Sequence, residues 1–196
     1  MIDLALSLLQ EELAAYLSVN NDPATVRIDN IGLAETSSGS SLSDHIVITL
    51  VNIEEESALK NQSALRRSGT GNASYESAPT FLNLYVLISC NYFGDSYILA
   101  LQRLALVIQF LQGKTSFSGV SSGSGQSVFS DLRFTLELYT LTFEQINHLW
   151  GSLGGRQVPF AMYKLRLISI TDRKRIREVP VVAEIDTTVL KFSTNN

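Results

Sequence analysis

Glu54, Glu55 and Glu56 are the residues of this chain whose type and spacing are best suited to chemistry. Paired carboxylates serve as general acid and base, or hold a hard cation. The triplet follows the apolar run 46–53 with no turn residue between. On a strand successive side chains alternate between faces, so Glu54 and Glu56 can converge while Glu55 points away. A metal would need further oxygen ligands, and the flanking sequence advertises none. The other reading is a charged rim that meets another protein, and it is the stronger of the two.

Other candidates are sparse. His45 and His148 have no cysteine, histidine or carboxylate at ligand spacing, as expected of ordinary core or surface histidines. Cys90, the single cysteine, sits in the run LYVLISCNY and reads as a small core residue. Gly119, Gly123 and Gly125 lie in a serine-rich stretch with no GK[ST] after them, and no GxGxxG opens a helix. No serine stands in a GxSxG elbow. No cofactor is expected. The late cluster Arg173, Lys174, Arg175 and Arg177 is either a solvated turn or a docking surface for an acidic partner. Four basic residues without interleaved aromatics argue against nucleic acid.

Composition supports the interface reading. In 196 residues only 17% are charged, and mean hydropathy is positive at +0.13. Such a chain favours burying surface in an assembly. A net charge of −4 argues against general affinity for phosphate backbones. The N-terminus lacks the basic region of a signal peptide and carries Asp3, Glu11 and Glu12, so no secretory or membrane segment is expected.

The elements that must position these residues follow from periodicity. Ile2, Ala5, Leu6, Leu9, Leu13, Tyr16 and Leu17 form the stripe of an N-terminal helix. Short strands are predicted at 26–30 and 59–67, with loops at 36–43, 69–77 and 116–130. The runs 45–53 and 81–90 are apolar on both faces and read as covered central strands. A second helix, 97–112, is capped by Ser96 and has the core stripe Tyr97, Leu101, Leu104, Ile108 and Leu111. Its remaining faces are also apolar, so it is either sandwiched within the domain or covered by a neighbouring subunit. Strand 132–141 alternates with Phe134, Leu136, Leu138 and Thr140 inward. Thr142 and Gln145 form a capping box for a third helix anchored by Phe143, Ile146, Leu149 and Trp150. A last core strand spans 162–171. The order implies an α+β fold, a mixed or mostly antiparallel sheet flanked by helices. A single core domain is expected over 1–172, with 173–196 as an arm that adds a strand to a neighbour.

Four segments carry a family likeness: LVNIEEESALKN at 50–61, FLNLYVLISCNY at 81–92, LTFEQINHLWGSLGG at 141–155 and VPFAMYKLRLISI at 158–170. In this order they resemble the cap, or tail-terminator, subunits of contractile injection systems, the phage-tail-like particles of antifeeding-prophage and virulence-cassette type. The likeness covers about residues 1–172; it departs at Phe160 and Ala161, where a small polar residue is expected after the proline. The resemblance implies a tail-terminator-like fold and a structural, non-enzymatic role. It implies a homo-hexameric ring on the distal end of inner tube and sheath, which ends polymerisation and anchors the last sheath ring through strand exchange or charge contacts. Its implied partners are itself, the tube protein and the sheath protein, with no nucleic acid and no membrane insertion. Synthesis would be in the bacterial cytoplasm, and the particle would be released or membrane-attached. The matched motifs are core, so the interface candidates rest on the residues alone: Glu54, Glu55, Glu56, Arg173, Lys174, Arg175 and Arg177. Two rivals stay open: another tail-completion or baseplate subunit of the same particle, or a small metal-dependent enzyme using Glu54 and Glu56.

Overall fold

A computed structural model describes residues 1–34, 36, 42–56, 65–67, 72–76, 80–119, 132–170 and 175–180. The chain divides into two compact units, Met1–Leu59 with Thr80–Ile170, and Lys60–Pro79 with Thr171–Asn196.

Among the described residues the first unit is built on a six-stranded sheet. Its strands are β1 (Thr25–Ile28), β2 (His45–Glu55), β5 (Thr80–Asn91), β8 (Phe160–Ile170), β7 (Arg133–Leu138) and β6 (Ser116–Ser118), in that spatial order. β1 runs parallel to β2 and every other pairing is antiparallel, so the sheet is mixed. Period-2 alternation sorts its apolar residues onto two faces. Ile46, Ile48, Leu84, Val86, Ile88, Cys90, Tyr163 and Leu165 pack under α1 (Ile2–Val19) and α2 (Tyr97–Gly113). Val47, Leu87 and Met162 pack on the opposite face under Trp150 of α3 (Phe143–Ser152). This is the expected α+β arrangement of helices over both faces of a mixed sheet. No helix among the described residues is long and apolar enough to cross a membrane.

α1 buries Ala5, Leu6, Leu8, Leu9, Leu13 and Leu17, with Ile2 and Tyr16 packed at the margin, close to the predicted stripe. α3 carries the predicted capping box: Gln145 N–H donates to Thr142 Oγ1 at 3.2 Å, and Thr142 N–H to Gln145 Oε1 at 2.9 Å. Beyond its end Gly154 (φ 99°) and Gly155 (φ 81°) take the left-handed turn open to glycine, and Gly155 N–H donates to Trp150 O. Phe143, expected as an anchor, is 88% exposed in the first turn of α3.

Several expectations are corrected. The buried face of α2 consists of Ala100, Arg103, Val107, Phe110 and the predicted Leu111, with the predicted Leu104 and Ile108 packed at its margin, while Tyr97, Ile98 and Leu101 are exposed. Arg103 lies on this buried face, where it meets Asp22 and Tyr92. Ser96 makes no side-chain cap; a single 3-10 turn, Gly94–Ser96, leads into α2. The serine-rich stretch contributes β6, because Phe117 has an aromatic slot to fill: it stacks on Phe134 at 5.0 Å and meets Phe110 edge-on at 6.0 Å. Leu138 and Thr140 do not face the core; Leu138 is exposed at the sheet edge past the last partner of β6. β2 is covered on both faces only through Thr49; from Asn52 its side chains are exposed.

The second unit contains an antiparallel sheet of β3 (Leu65–Arg67), β4 (Asn72–Glu76) and β9 (Arg175–Pro180), in that order among the described residues. Its middle strand lies where low strand propensity predicts a loop. Pairing on both sides overrides the weak local preference of Asn-Ala-Ser-Tyr-Glu.

Candidate functional site

A bulge sets the geometry of the acidic end of β2. Leu50 lies opposite Val86 and Asn52 opposite Tyr85, which leaves Val51 as the extra residue. The insertion reverses the alternation expected from the sequence. Asn52 now shares the α3 face with Val47 and Thr49, and Ile53 shares the α1–α2 face with Ile48 and Leu50. Glu54 therefore lies beside Tyr85, whose hydroxyl donates to Glu54 Oε2 at 2.9 Å. Asn83 Nδ2 donates to Glu56 Oε2, also at 2.9 Å. Glu55 sits opposite Leu82, on the other face.

Glu54 and Glu56 are thus brought to one face, each held by a β5 side chain. Tyr85 packs edge-on against Tyr139 at 5.0 Å, and Lys164 Nζ lies 5.9 Å from its ring centre. Burial and then the Glu54 carboxylate push the Tyr85 phenol up to about 12, so it remains a hydrogen-bond donor through the ordinary pH range. A shallow groove of about 210 Å3 runs past Val51, Asn52, Glu54, Tyr85, Tyr139 and Met162. His45 is at the far end of β2 opposite Asn91, and His148 is exposed on α3. Among the described residues no three His, Cys, Asp or Glu side chains gather as a metal site. What the arrangement can do is present two anchored carboxylates as an acidic rim.

Of the basic candidates, Arg175 lies opposite Glu76 and Arg177 opposite Tyr75 in the backbone register of β9 and β4. Arg173 and Lys174 lie outside the described residues.

One functional-looking group was missed by periodicity. Arg103 is buried in α2 and its Nε donates to Asp22 Oδ1 at 3.0 Å and Oδ2 at 3.3 Å. Its guanidinium lies 4.6 Å from the ring centre of Tyr92. Asp22 also accepts from Ala24 N–H, so the ion pair ties the turn after α1 to α2. The available signal was an arginine three residues after Ala100 and four before Val107, on what would otherwise be an unbroken apolar stripe. Cys90 beside it is buried, as expected, and burial pushes its thiol up to about 12.

A model of the Pvc16 N-terminal domain family matches residues 6–184. The chain belongs to this family. No curated protein matches the sequence. Among solved structures, the fold is similar to the sheath/tube terminator of PVC, an extracellular contractile injection system, in its extended state, with a TM-score of 0.66 at 17% identity. It is also similar to the tube-terminating cap of the anti-feeding prophage, with a TM-score of 0.65 at 19% identity. These alignments take in 100% and 96% of this chain, but 65% and 61% of those chains. The Pvc16 N-terminal domain chain thus spans under two thirds of either relative, and the tail-terminator-like fold expected from the sequence is the one it has.

Proposed function

We propose that this Pvc16 N-terminal domain is a non-enzymatic capping module that ends polymerisation of a contractile particle's inner tube and sheath and anchors the last sheath ring. The observation that carries the reading is a fold likeness running the whole length of the chain to a sheath/tube terminator. Family membership supports it, as does an acidic rim held by strand neighbours. In this reading the protein forms a homo-hexameric ring and contacts tube and sheath proteins. Glu54, Glu55 and Glu56 form one contact surface and the basic cluster 173–177 another. Synthesis in the bacterial cytoplasm precedes particle release or attachment.

Two measurements test this together. Electron microscopy of the purified protein is expected to show rings that bind the distal ends of tubes. Particles assembled without it are expected to lose their uniform length. A protein that stays monomeric and ignores tube ends, with particles of normal length in its absence, would sink the reading. Labelling at the opposite end of the particle would reassign the protein to the baseplate.

A further inference from the structure

Two tyrosines and a carboxylate line one small groove on the α3 face of the sheet. Tyr85 stands on β5 opposite Asn52 of β2 and Lys164 of β8. Tyr139 follows β7, and its N–H donates to Met162 O at 2.8 Å, which fixes its backbone beside β8. The two rings stand at 75° to each other with centres 5.0 Å apart. Glu54 lies beside them, held by the Tyr85 hydroxyl. The groove measures about 210 Å3, and Val51, Leu149 and Met162 complete its wall with apolar surface. Sites for drug-sized ligands run to roughly 300–1,000 Å3, so this one suits a compact group.

These walls favour a cation of a particular kind. An aromatic ring is negative over its face, and clusters of such rings with a carboxylate nearby attract organic cations. Lys164 Nζ already lies 5.9 Å from the Tyr85 ring centre, yet it is no part of the groove wall. Glu54 supplies charge, but both its oxygens are engaged: Tyr85 OH donates to Oε2 at 2.9 Å, and Asn52 Nδ2 reaches Oε1 at 3.5 Å. The carboxylate therefore offers its field more than its lone pairs. A primary ammonium brings three N–H donors, and a mostly carbon wall leaves them short of acceptors. An ammonium whose substituents are all carbon has no donor to leave unpaired, and its methyl groups match Val51, Leu149 and Met162.

We propose that the Glu54–Tyr85–Tyr139 groove binds a trimethylammonium group, carried either by a free choline-like compound or by a lipid headgroup. The two rings supply the cation–π attraction, Glu54 the opposite charge, and the apolar wall the room for methyl groups. This ligand lies beyond the capping role, and its binding is a property of the single chain.

The experiment is isothermal titration calorimetry of the full chain with choline chloride at constant ionic strength. Saturable binding is expected. The tert-butyl analogue of choline, with carbon in place of nitrogen, has the same shape without the charge and should bind about tenfold more weakly. Glu54→Gln keeps an acceptor for Tyr85 and should weaken choline about tenfold, and Tyr139→Leu keeps an apolar wall and should weaken it about fivefold. Both variants are checked for native circular dichroism, and the analogue pair tests the wild-type chain whether or not they fold. Absence of choline binding, equal binding of the uncharged analogue, or full affinity in both variants overturns the proposal. Tighter binding of butylammonium than of choline overturns it too, by making the ligand a primary amine. Co-sedimentation with phosphatidylcholine vesicles, competed by choline, assigns the lipid headgroup, and choline binding without vesicle binding assigns the free compound. Failure here leaves end-capping by the whole protein untouched, and failure of capping leaves the titration standing.

Discussion

At the scale of single residues, the Arg103–Asp22 pair is a costly contact to break. Both side chains are nearly buried, at 8% and 14% exposure. A buried charge that loses its partner costs about 3–5 kcal/mol, whereas replacing both charges with apolar groups is often close to neutral. Asp22→Ala is therefore expected to lower the unfolding free energy by about that amount in urea titrations. Asp22→Leu combined with Arg103→Met should recover most of it. Alkaline pH tests the same region. Burial raises Cys90 from 9.0 to about 12, and it raises Tyr92 and Tyr163 from 10.0 to about 12. In each case the folded state holds the proton that the unfolded chain releases. Stability is then full below pH 9.0 and is lost as pH rises toward about 12. Cys90→Ala should move the onset up toward 10.0, where the tyrosines begin. A urea midpoint that does not change across this interval would contradict the assignment.

At the scale of elements, α2 and β6 show how partners decide which face is buried. Ile98 is 68% exposed and Phe117 only 1%. Phe117→Ala empties the slot between Phe110 and Phe134 and is expected to cost about 3–5 kcal/mol. Ile98→Lys should change stability by no more than about 0.5 kcal/mol, because its side chain leaves no core contact behind. Thermal unfolding of the two variants separates these outcomes cleanly. Comparable losses would mean that α2 has been assigned the wrong face. Among the described residues, Tyr97, Ile98 and Leu101 together leave an exposed apolar strip on α2.

At the scale of the whole molecule, each unit has its own sheet, and the proposed capping role would depend on surfaces that become contacts only in a particle. The acidic rim should act there through charge. Glu54→Lys with Glu56→Lys is expected to leave the circular dichroism spectrum native and to reduce the fraction of tubes carrying a cap. Wild-type capping should weaken as salt rises, since exposed charges are screened over about 8 Å at physiological ionic strength. Cap occupancy counted in micrographs across a salt series checks both expectations.

Much of this was legible in the residues. Local spacing determined α1, the α3 capping box, the two-sided apolar runs of β2 and β5, and the split of Glu54 and Glu56 from Glu55. Each depends on helical or strand period and on neighbours a few residues away. Tertiary structure decided the rest. The bulge at Val51 exists in the register with β5, and it chooses which face each glutamate takes. Arg103 rotates α2 because Asp22 lies 81 residues earlier in the chain. Phe117 becomes a strand residue only where Phe134 waits to stack. The pairing of β1 with β2 ends at Ile28 opposite Ile48, a fact about two strands that neither one encodes alone. Period is written along the chain, while register, burial of charge and free edges arise between distant parts of it.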